Sequence, residues 1–444
     1  MTTIKQWFHE NAIEEVEALI PDLAGMARGK FVPTERYLQD KGFRIAESLF
    51  TQTITGDYTD YIDSINPTDV DMEARPVQES ICLVPWVKEP IAQIIHDCYR
   101  LDGSPVEIAP RYVLKRVLDL YEKKGWIPAV APEMEFYLVK ANTDPGYPLE
   151  PPVGRSGRQE NSRRTFSIDA LNEFEGVIED IYEFSEQQKL DLETLTHEDG
   201  VAQLEVNFKH GDPMNLADQV FLFKRTVREV AYKHNLYATF MARPYQHQPG
   251  SSMHIHQSII NKQSGKNVFI GKNGKHNTLF KNYIAGLQKY TPATMLLFAP
   301  NVNSYRRITR HYAAPINTHW GLDNRTVGLR IPISSAEATR IENRIPGSDT
   351  NPYLAIAASL AAGYLGIQEK ILPTKPLLNS AYDLAFTLPR DLHTSLKLMN
   401  KSRPIRDILG EKFINLYIAV KELEYEKFSQ VISSWEREHL LLNV

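Results

Sequence analysis

The chain runs to 444 residues, 42% hydrophobic and 24% charged, with 50 Lys+Arg against 55 Asp+Glu for a formal net charge of −5 at pH 7. This is globular composition at a length for one large or two to three smaller domains, and it excludes disorder and collagen. Cys82 and Cys98 alone build no disulfide scaffold, and no basic block tracks a phosphate backbone, so no nucleic-acid partner is expected.

Met1 to Glu10 lacks the charged-then-apolar pattern of a signal peptide, which makes the cytoplasm the expected location. Val16 to Ile20 and Lys30 to Val32 flank the turn-rich Pro21-Asp22-Leu23-Ala24-Gly25, which predicts a hairpin in a small β-rich unit. Beyond Gly103 to Pro110, Val113, Leu114, Val117, Leu118 and Tyr121 fall at helical spacing with Gly125 as a stop, and a domain boundary is placed near residue 105. The segment Gly146 to Asn161, rich in proline and glycine, predicts a mobile loop. Amphipathic helices are expected over Leu171 to Phe184 and Leu216 to Val230, covering one side of a sheet. The most apolar stretch, Tyr353 to Ile367, is too short to span a bilayer and predicts a buried helix, with Asn351 as N-cap and Pro352 at its first position.

Four short segments between these helices alternate apolar and chemically active residues, the pattern of strands with one face on helices and the other on a cleft. Glu133 and Glu135 share a face in Pro132 to Leu138, and Glu205 lies between Gln203 and Asn207. His254, His256 and Ser258 align in Met253 to Ser258, as do Arg340, Glu342 and Arg344 in Arg340 to Arg344. A single such strand is ordinarily the solvated face of an antiparallel sheet. Four together would gather Glu133, Glu135, Glu205 and Glu342, with Glu198 from the turn before Gln203, and like charges at that density need cations. Carboxylates with few nitrogens and no thiolate suit Mg²⁺ or Mn²⁺; zinc is the lesser reading, because the His254-Ile255-His256 pair comes with neither HExxH nor CxxC. There is no GxxxxGK[ST], and Gly271-Lys272-Asn273-Gly274-Lys275 fits no nucleotide fingerprint, so any phosphate must be held by metals and arginines. Arg306, Arg307, Arg310, Arg325, Arg330, Arg340 and Arg344 fall within 39 residues, and guanidinium forks bind phosphate and carboxylate bidentately. Together these features point to chemistry on ATP and a carboxylate substrate.

The same residues sit in stretches that resemble the glutamine synthetase superfamily along nearly the whole chain. They are Asp22-Leu23-Ala24-Gly25 with Arg28-Gly29-Lys30, Pro132 to Phe136, His197-Glu198 with Gln203 to Glu205, Gly250 to Ser258, Asn303 to Arg307, and Arg340 to Pro346 followed by Asn351 to Leu354. The resemblance implies an α+β architecture: an N-terminal β-grasp domain (1–105) and a catalytic domain (106–444) whose curved antiparallel sheet holds two divalent metals between ATP and glutamate. It implies Glu135, Glu198 and Glu205 as ligands of one metal, and Glu133, His254 and Glu342 as ligands of the other. Glu193, His256, Ser258, Arg325, Arg330 and Arg340 are implied as ATP contacts. Gly250, His254, Arg307 and Arg344 are implied as glutamate contacts, with Arg307, Arg330 and Glu342 at the reacting atoms. Members of the family assemble as two stacked hexameric rings, so a dodecamer is the expected homo-oligomer.

Two departures bear on the nitrogen substrate. Glutamine synthetases carry Tyr-Glu-Ala-Pro where this chain has Tyr312-Ala313-Ala314-Pro315, and Asp-Gly-Ser-Ser where it has Glu47-Ser48-Leu49-Phe50. Both changes remove charge that helps to bind ammonium, and Ala313 also frees volume. Pro249 replaces an asparagine that contacts glutamate in the family. The pattern is similar to that of the γ-glutamylpolyamine synthetases, which join glutamate to putrescine or related amines. Ammonium, ethanolamine or a monoamine are the alternatives, and a non-catalytic relative would lose metal ligands first, whereas all six are present. Tyr382-Asp383-Leu384 resembles a loop whose tyrosine is adenylylated in some family members; Tyr382 is expected to be an unmodified surface residue.

Overall fold

In the computed structural model the described residues are 3–61 and 66–444; positions 1, 2 and 62–65 of the expected N-terminal domain lie outside them. The expected hairpin forms from β1 (Glu15–Pro21) and β2 (Ala27–Pro33). Its turn is tied by Asp22, whose Oδ1 accepts from the backbone N–H groups of Ala24 and Met26 and whose Oδ2 accepts from Arg28. The hairpin joins a mixed sheet with β3 (Phe43–Ala46), β4 (Asp71–Pro76), β5 (Cys82–Leu83) and β6 (Ile91–Tyr99), in the order β2-β1-β6-β4-β3 with β5 on β6. β1 and β6 run parallel at its centre, and the other pairs are antiparallel. Residue 105, near which a boundary is expected, lies between β6 and the helix Pro110–Glu122.

The second sheet contains β7 (Trp126–Lys140), β8 (Leu192–His197), β9 (Gln203–Phe208), β10 (Leu236–Thr239), β11 (Met253–Asn261), β12 (Trp320–Leu322), β13 (Leu329–Ile331) and β14 (Ile341–Asn343). Its order is β12-β13-β14-β11-β7-β9-β8, with β10 on β7. The sheet departs from the expected all-antiparallel pattern at one edge, where β12 and β13 pair in parallel. Each is three residues long, and the intervening 323–328 loop turns back at Asp323, in the left-handed region at φ +49°, so no helical crossover is needed.

Helices cover the apolar face. The sequence places Pro213–Lys233 well, and that helix packs on β7 and β10. The helix expected over Leu171 to Phe184 is two, Ile168–Asn172 and Glu175–Gln187, because Phe174 leaves helical geometry (φ −119°, ψ 27°). The second of them packs on Pro213–Lys233. Pro352–Glu369 is buried along most of its length, and no helix among the described residues is long and apolar enough to cross a membrane.

The two sheets are locked together by polar contacts rather than by apolar ones alone. Arg225 donates to Gln93 and Glu17 of the first sheet, each at 2.8 Å. Asn351 caps its helix as expected, accepting from Tyr353 N and Leu354 N, while its Nδ2 donates to the Asp22 carbonyl at 2.8 Å. The turn can approach this closely because it carries Gly25 (φ +78°), where a Cβ would lie 3.3 Å from the Asn351 Cα. Asn351→Ala removes a cap and a buried bridge in one change and is expected to lower stability by about 2 kcal/mol, read as a reduced midpoint in urea unfolding.

Candidate active site

The register of the second sheet brings the four active strands side by side. His254 of β11 faces Glu133 of β7, Glu135 faces Glu205 of β9, and Glu342 of β14 pairs with both His256 and Arg330. Glu198 joins them from the β8–β9 turn, fixed by its N–H on the Gln203 carbonyl. Four carboxylates therefore share one polar sheet face, with Glu198 beside them at the β8–β9 turn.

Without a cation the chain neutralises this face unevenly. Glu133 accepts from His256 Nε2 at 2.8 Å and bonds His254 Nδ1 at 3.2 Å. Arg340 donates to His256 Nδ1, which therefore accepts, and the His256 proton sits on Nε2 facing Glu133. Burial opposes charge on Glu133, but the two imidazoles outweigh it and hold its carboxyl far below the usual range. Glu342 is fully buried between Arg344 and Arg330. Burial again opposes its charge, and Arg344 with the imidazoles holds it at about 2. Glu135 is clamped by Ser252, which gives its N–H at 2.9 Å and its hydroxyl at 2.5 Å, and by Gln203 at 3.3 Å.

Glu198 and Glu205 have no such cation. No cation pairs with the Glu198 carboxylate, and burial followed by the nearby Glu135 pushes it up to about 8 despite a backbone hydrogen bond from Asp199. Burial, Glu133 and Glu135 push Glu205 well above the ordinary carboxylate range, although Asn207 donates to it. A polar pocket with unpaired carboxylate oxygens and imidazole nitrogens fits hard divalent cations. Within 4.8 Å of one another lie Glu133, His256 and Glu342, and separately Glu133, Glu205 and His254. This grouping of the metal-free side chains differs from the expected ligand sets and makes Glu133 common to both.

The expected residues divide between two chambers. An inner cleft of about 530 Å³ is lined by Glu133, Glu135, Glu198, Glu205, Gly250, His254, Arg307, Arg325, Arg330, Glu342 and Arg344. A neighbouring chamber of about 550 Å³, flanked by Val130, Phe208 and Ile260, is lined by Glu193, His256, Ser258 and Arg340. Glu133 lines both. Arg325 and Arg330, expected at the nucleotide, face the inner cleft.

The inner cleft is rich in guanidinium. Arg307 is buried and donates to the carbonyls of Ile345 and Arg344, and burial lowers it to about 10. It packs against Gly250, where a Cβ would lie 2.6 Å from the Arg307 Cγ. The buried Arg344 Nε has no hydrogen-bond partner, and Arg325 has no side-chain partner among the described residues. Tyr382 corrects an expectation: its hydroxyl is buried, and its phenol is raised by burial near Arg344 and Arg307, so it is no surface tyrosine.

Sequence reasoning gave no site role to Gln203, Ser252, Glu160, Asp199 or Phe166. Gln203 shares a strand face with Glu205 and was within reach of the alternation argument. Ser252 lies just before β11, and Glu160 and Phe166 belong to loop segments where periodicity carries no signal. Glu160 Oε2 accepts from Ala202 N at 2.6 Å and His197 Nε2 at 3.0 Å, while His197 Nδ1 bonds the Glu198 carbonyl at 2.7 Å. Through this imidazole Glu160 braces the Glu198 turn from behind.

A family model described as "Glutamine synthetase, catalytic domain" matches residues 107–440. The chain belongs to the glutamine synthetase family. Gamma-glutamylputrescine synthetase PuuA of Escherichia coli (strain K12) is 34% identical over 436 residues, 96% of this chain and 92% of the relative. Glutamate--isopropylamine ligase of Pseudomonas sp is 31% identical, covering 98% and 96%, and glutamine synthetase of Pyrococcus abyssi is 33% identical, covering 96% and 92%. The solved structure "Apo GmaS without ligand" superposes with a TM-score of 0.86 at 28% identity over 100% of both chains. The glutamine synthetase fold and an ATP- and divalent-metal-dependent carbon–nitrogen ligase activity follow from this membership.

The unpaired carboxylates make the metal-free fold sensitive to pH. Glu198 and Glu205 hold protons that an unfolded chain releases from about 4.5 upward, so stability falls as pH rises from there towards 8. The increase in Tm when Mg²⁺ is added to chelator-treated protein is therefore expected to be larger at pH 8 than at pH 6, as measured by calorimetric melting.

Proposed function

We propose that the protein joins the γ-carboxyl of L-glutamate to the nitrogen of an organic amine, putrescine or another polyamine, with ATP cleaved to ADP and phosphate. The observation that carries this reading is the apolar part of the inner cleft's lining. Ala313, Ala314, Pro249 and Phe166 all line that cleft, and Ala313 stands where ammonium-using relatives carry a carboxylate. Relatives named for putrescine and for isopropylamine ligation support an alkylated nitrogen.

In the first step a glutamate γ-carboxylate oxygen bonds to the γ-phosphorus of ATP and the bond to ADP breaks. In the second the amine nitrogen, as the free base, attacks the γ-carbonyl carbon and phosphate leaves. Arg330, held by Asp323 and Glu342, and the unpaired Arg325 face the transferring group, while Arg307 and Arg344 orient the glutamate. His256, Ser258, Arg340 and Glu193 receive the nucleotide in the outer chamber. Glu133, Glu135, Glu198, Glu205, His254 and Glu342 would hold the divalent cations, Mg²⁺ or Mn²⁺, which when bound neutralise charge on the phosphoryl group. The same reading carries a cytoplasmic dodecamer with domains 1–105 and 106–444. Apolar side chains left exposed at the C-terminus, Trp435, Leu441, Leu442 and Val444, support an assembly that covers them.

The deciding measurement is phosphate release from ATP and glutamate with ammonium, putrescine, spermidine, ethanolamine and a monoalkylamine, with product masses checked. Turnover with organic amines and little with ammonium is expected; preference for ammonium would make the protein a glutamine synthetase with another base. Ala313→Glu is expected to shift the preference at least tenfold towards ammonium. Glu135→Ala is expected to lower kcat by about a thousandfold, and unchanged turnover would overturn the metal assignment.

A further inference from the structure

The apolar wall ends at a mouth whose construction points to recognition of the far end of the amine. One side is the segment 160–167, braced at its root by Glu160 as described above. At its tip the Phe166 N–H donates to the His197 carbonyl at 2.9 Å, and the Thr165 hydroxyl donates to Asp199 Oδ1 at 3.0 Å. Arg163 Nη1 lies 3.3 Å from Asp199 Oδ2. Asp199 directly follows Glu198 and lines the same cleft, as does Phe166, which is 63% exposed.

The other side is Tyr312 and Ala313. The guanidinium groups of Arg163 and Arg243 lie 4.6 and 5.2 Å from the Tyr312 ring centre, and its hydroxyl donates to the His247 carbonyl at 3.2 Å. Phe166, Tyr312 and Ala313 all have left-handed backbone, at φ +61°, +62° and +52°. Two unconnected loops accept this strain where they meet one cleft, and bulky side chains do so only when surrounding contacts hold them there. The phenylalanine in particular spends backbone strain to present its ring to solvent at the cleft mouth.

The Arg163–Asp199 pair is replaceable. Its side chains are 47% and 34% exposed, so the pair contributes little to stability and an ammonium of a substrate can take the place of the guanidinium. Arg163 also has a second partner, the Tyr312 ring, that does not depend on Asp199.

Building on the organic-amine reading above, we infer that Asp199 takes the second ammonium of a diamine, that Phe166 packs on the hydrocarbon between the two nitrogens, and that Arg163 is the built-in competitor for that carboxylate. The selectivity of the enzyme for a diamine over a monoamine of the same length is then set by these residues and not by the metal ligands.

The test compares kcat/KM for putrescine and butylamine in the full-length wild-type, Asp199→Asn and Arg163→Gln proteins. Asp199→Asn is expected to lower the putrescine-to-butylamine ratio about tenfold, chiefly through KM for putrescine. Arg163→Gln is expected to raise the ratio several-fold, an opposite sign that damage to the loop does not produce. Equal effects on both amines in both variants would overturn the inference and leave Asp199 a loop anchor. If the wild type ligates neither amine, the organic-amine reading itself falls, and the two failures are told apart by the wild-type measurement alone.

Discussion

Like-charge repulsion on a single sheet face is the constraint around which the molecule is organised. Glu133, Glu135, Glu205 and Glu342 share that face, and Glu198 joins them from the β8–β9 turn. The fold answers with three kinds of partner: imidazoles for Glu133, guanidinium groups for Glu342, and neutral hydrogen-bond donors for Glu135. Glu198 and Glu205 are left over. Without a cation they stay protonated, and binding of a cation, which needs them ionised, adds stability to the folded state.

The arginines follow from the same constraint. Arg330 and Arg344 are held in the cleft by Glu342, and Arg330 is shared with Asp323, so their donors are already aligned before an anion arrives. Such preorganisation is what allows charge to be stabilised in a transition state without reorganising the site. The buried Arg344 Nε and Tyr382 hydroxyl are left without hydrogen-bond partners among the described residues.

Much of this was legible from alternation. Glu133 with Glu135, Glu205 with Gln203, and His254 with His256 lie on one face because strand geometry leaves no other option, and the cap at Asn351 follows from its place before Pro352. The antiparallel register that joins these strands was not legible from local pattern, and came from family resemblance. Two failures are instructive. The break at Phe174 depends on local backbone geometry that apolar spacing does not encode, and the parallel β12–β13 edge rests on a backbone turn at Asp323. Loop residues such as Glu160 and Phe166 escaped because their roles depend on what they meet across the fold. The burial of the Tyr382 hydroxyl escaped for the same reason.

The position of Glu133 as the common wall of two chambers has a consequence for how they fill. One of its oxygens is engaged by His256 on the outer side and the other by His254 on the inner side. A carboxylate is rigid, so a ligand that draws one oxygen towards itself rotates the other away from its imidazole. A ligand in either chamber thus meets a carboxylate that also bounds the other, and any coupling this produces runs equally in both directions. The two compartments meet at a single side chain, Glu133.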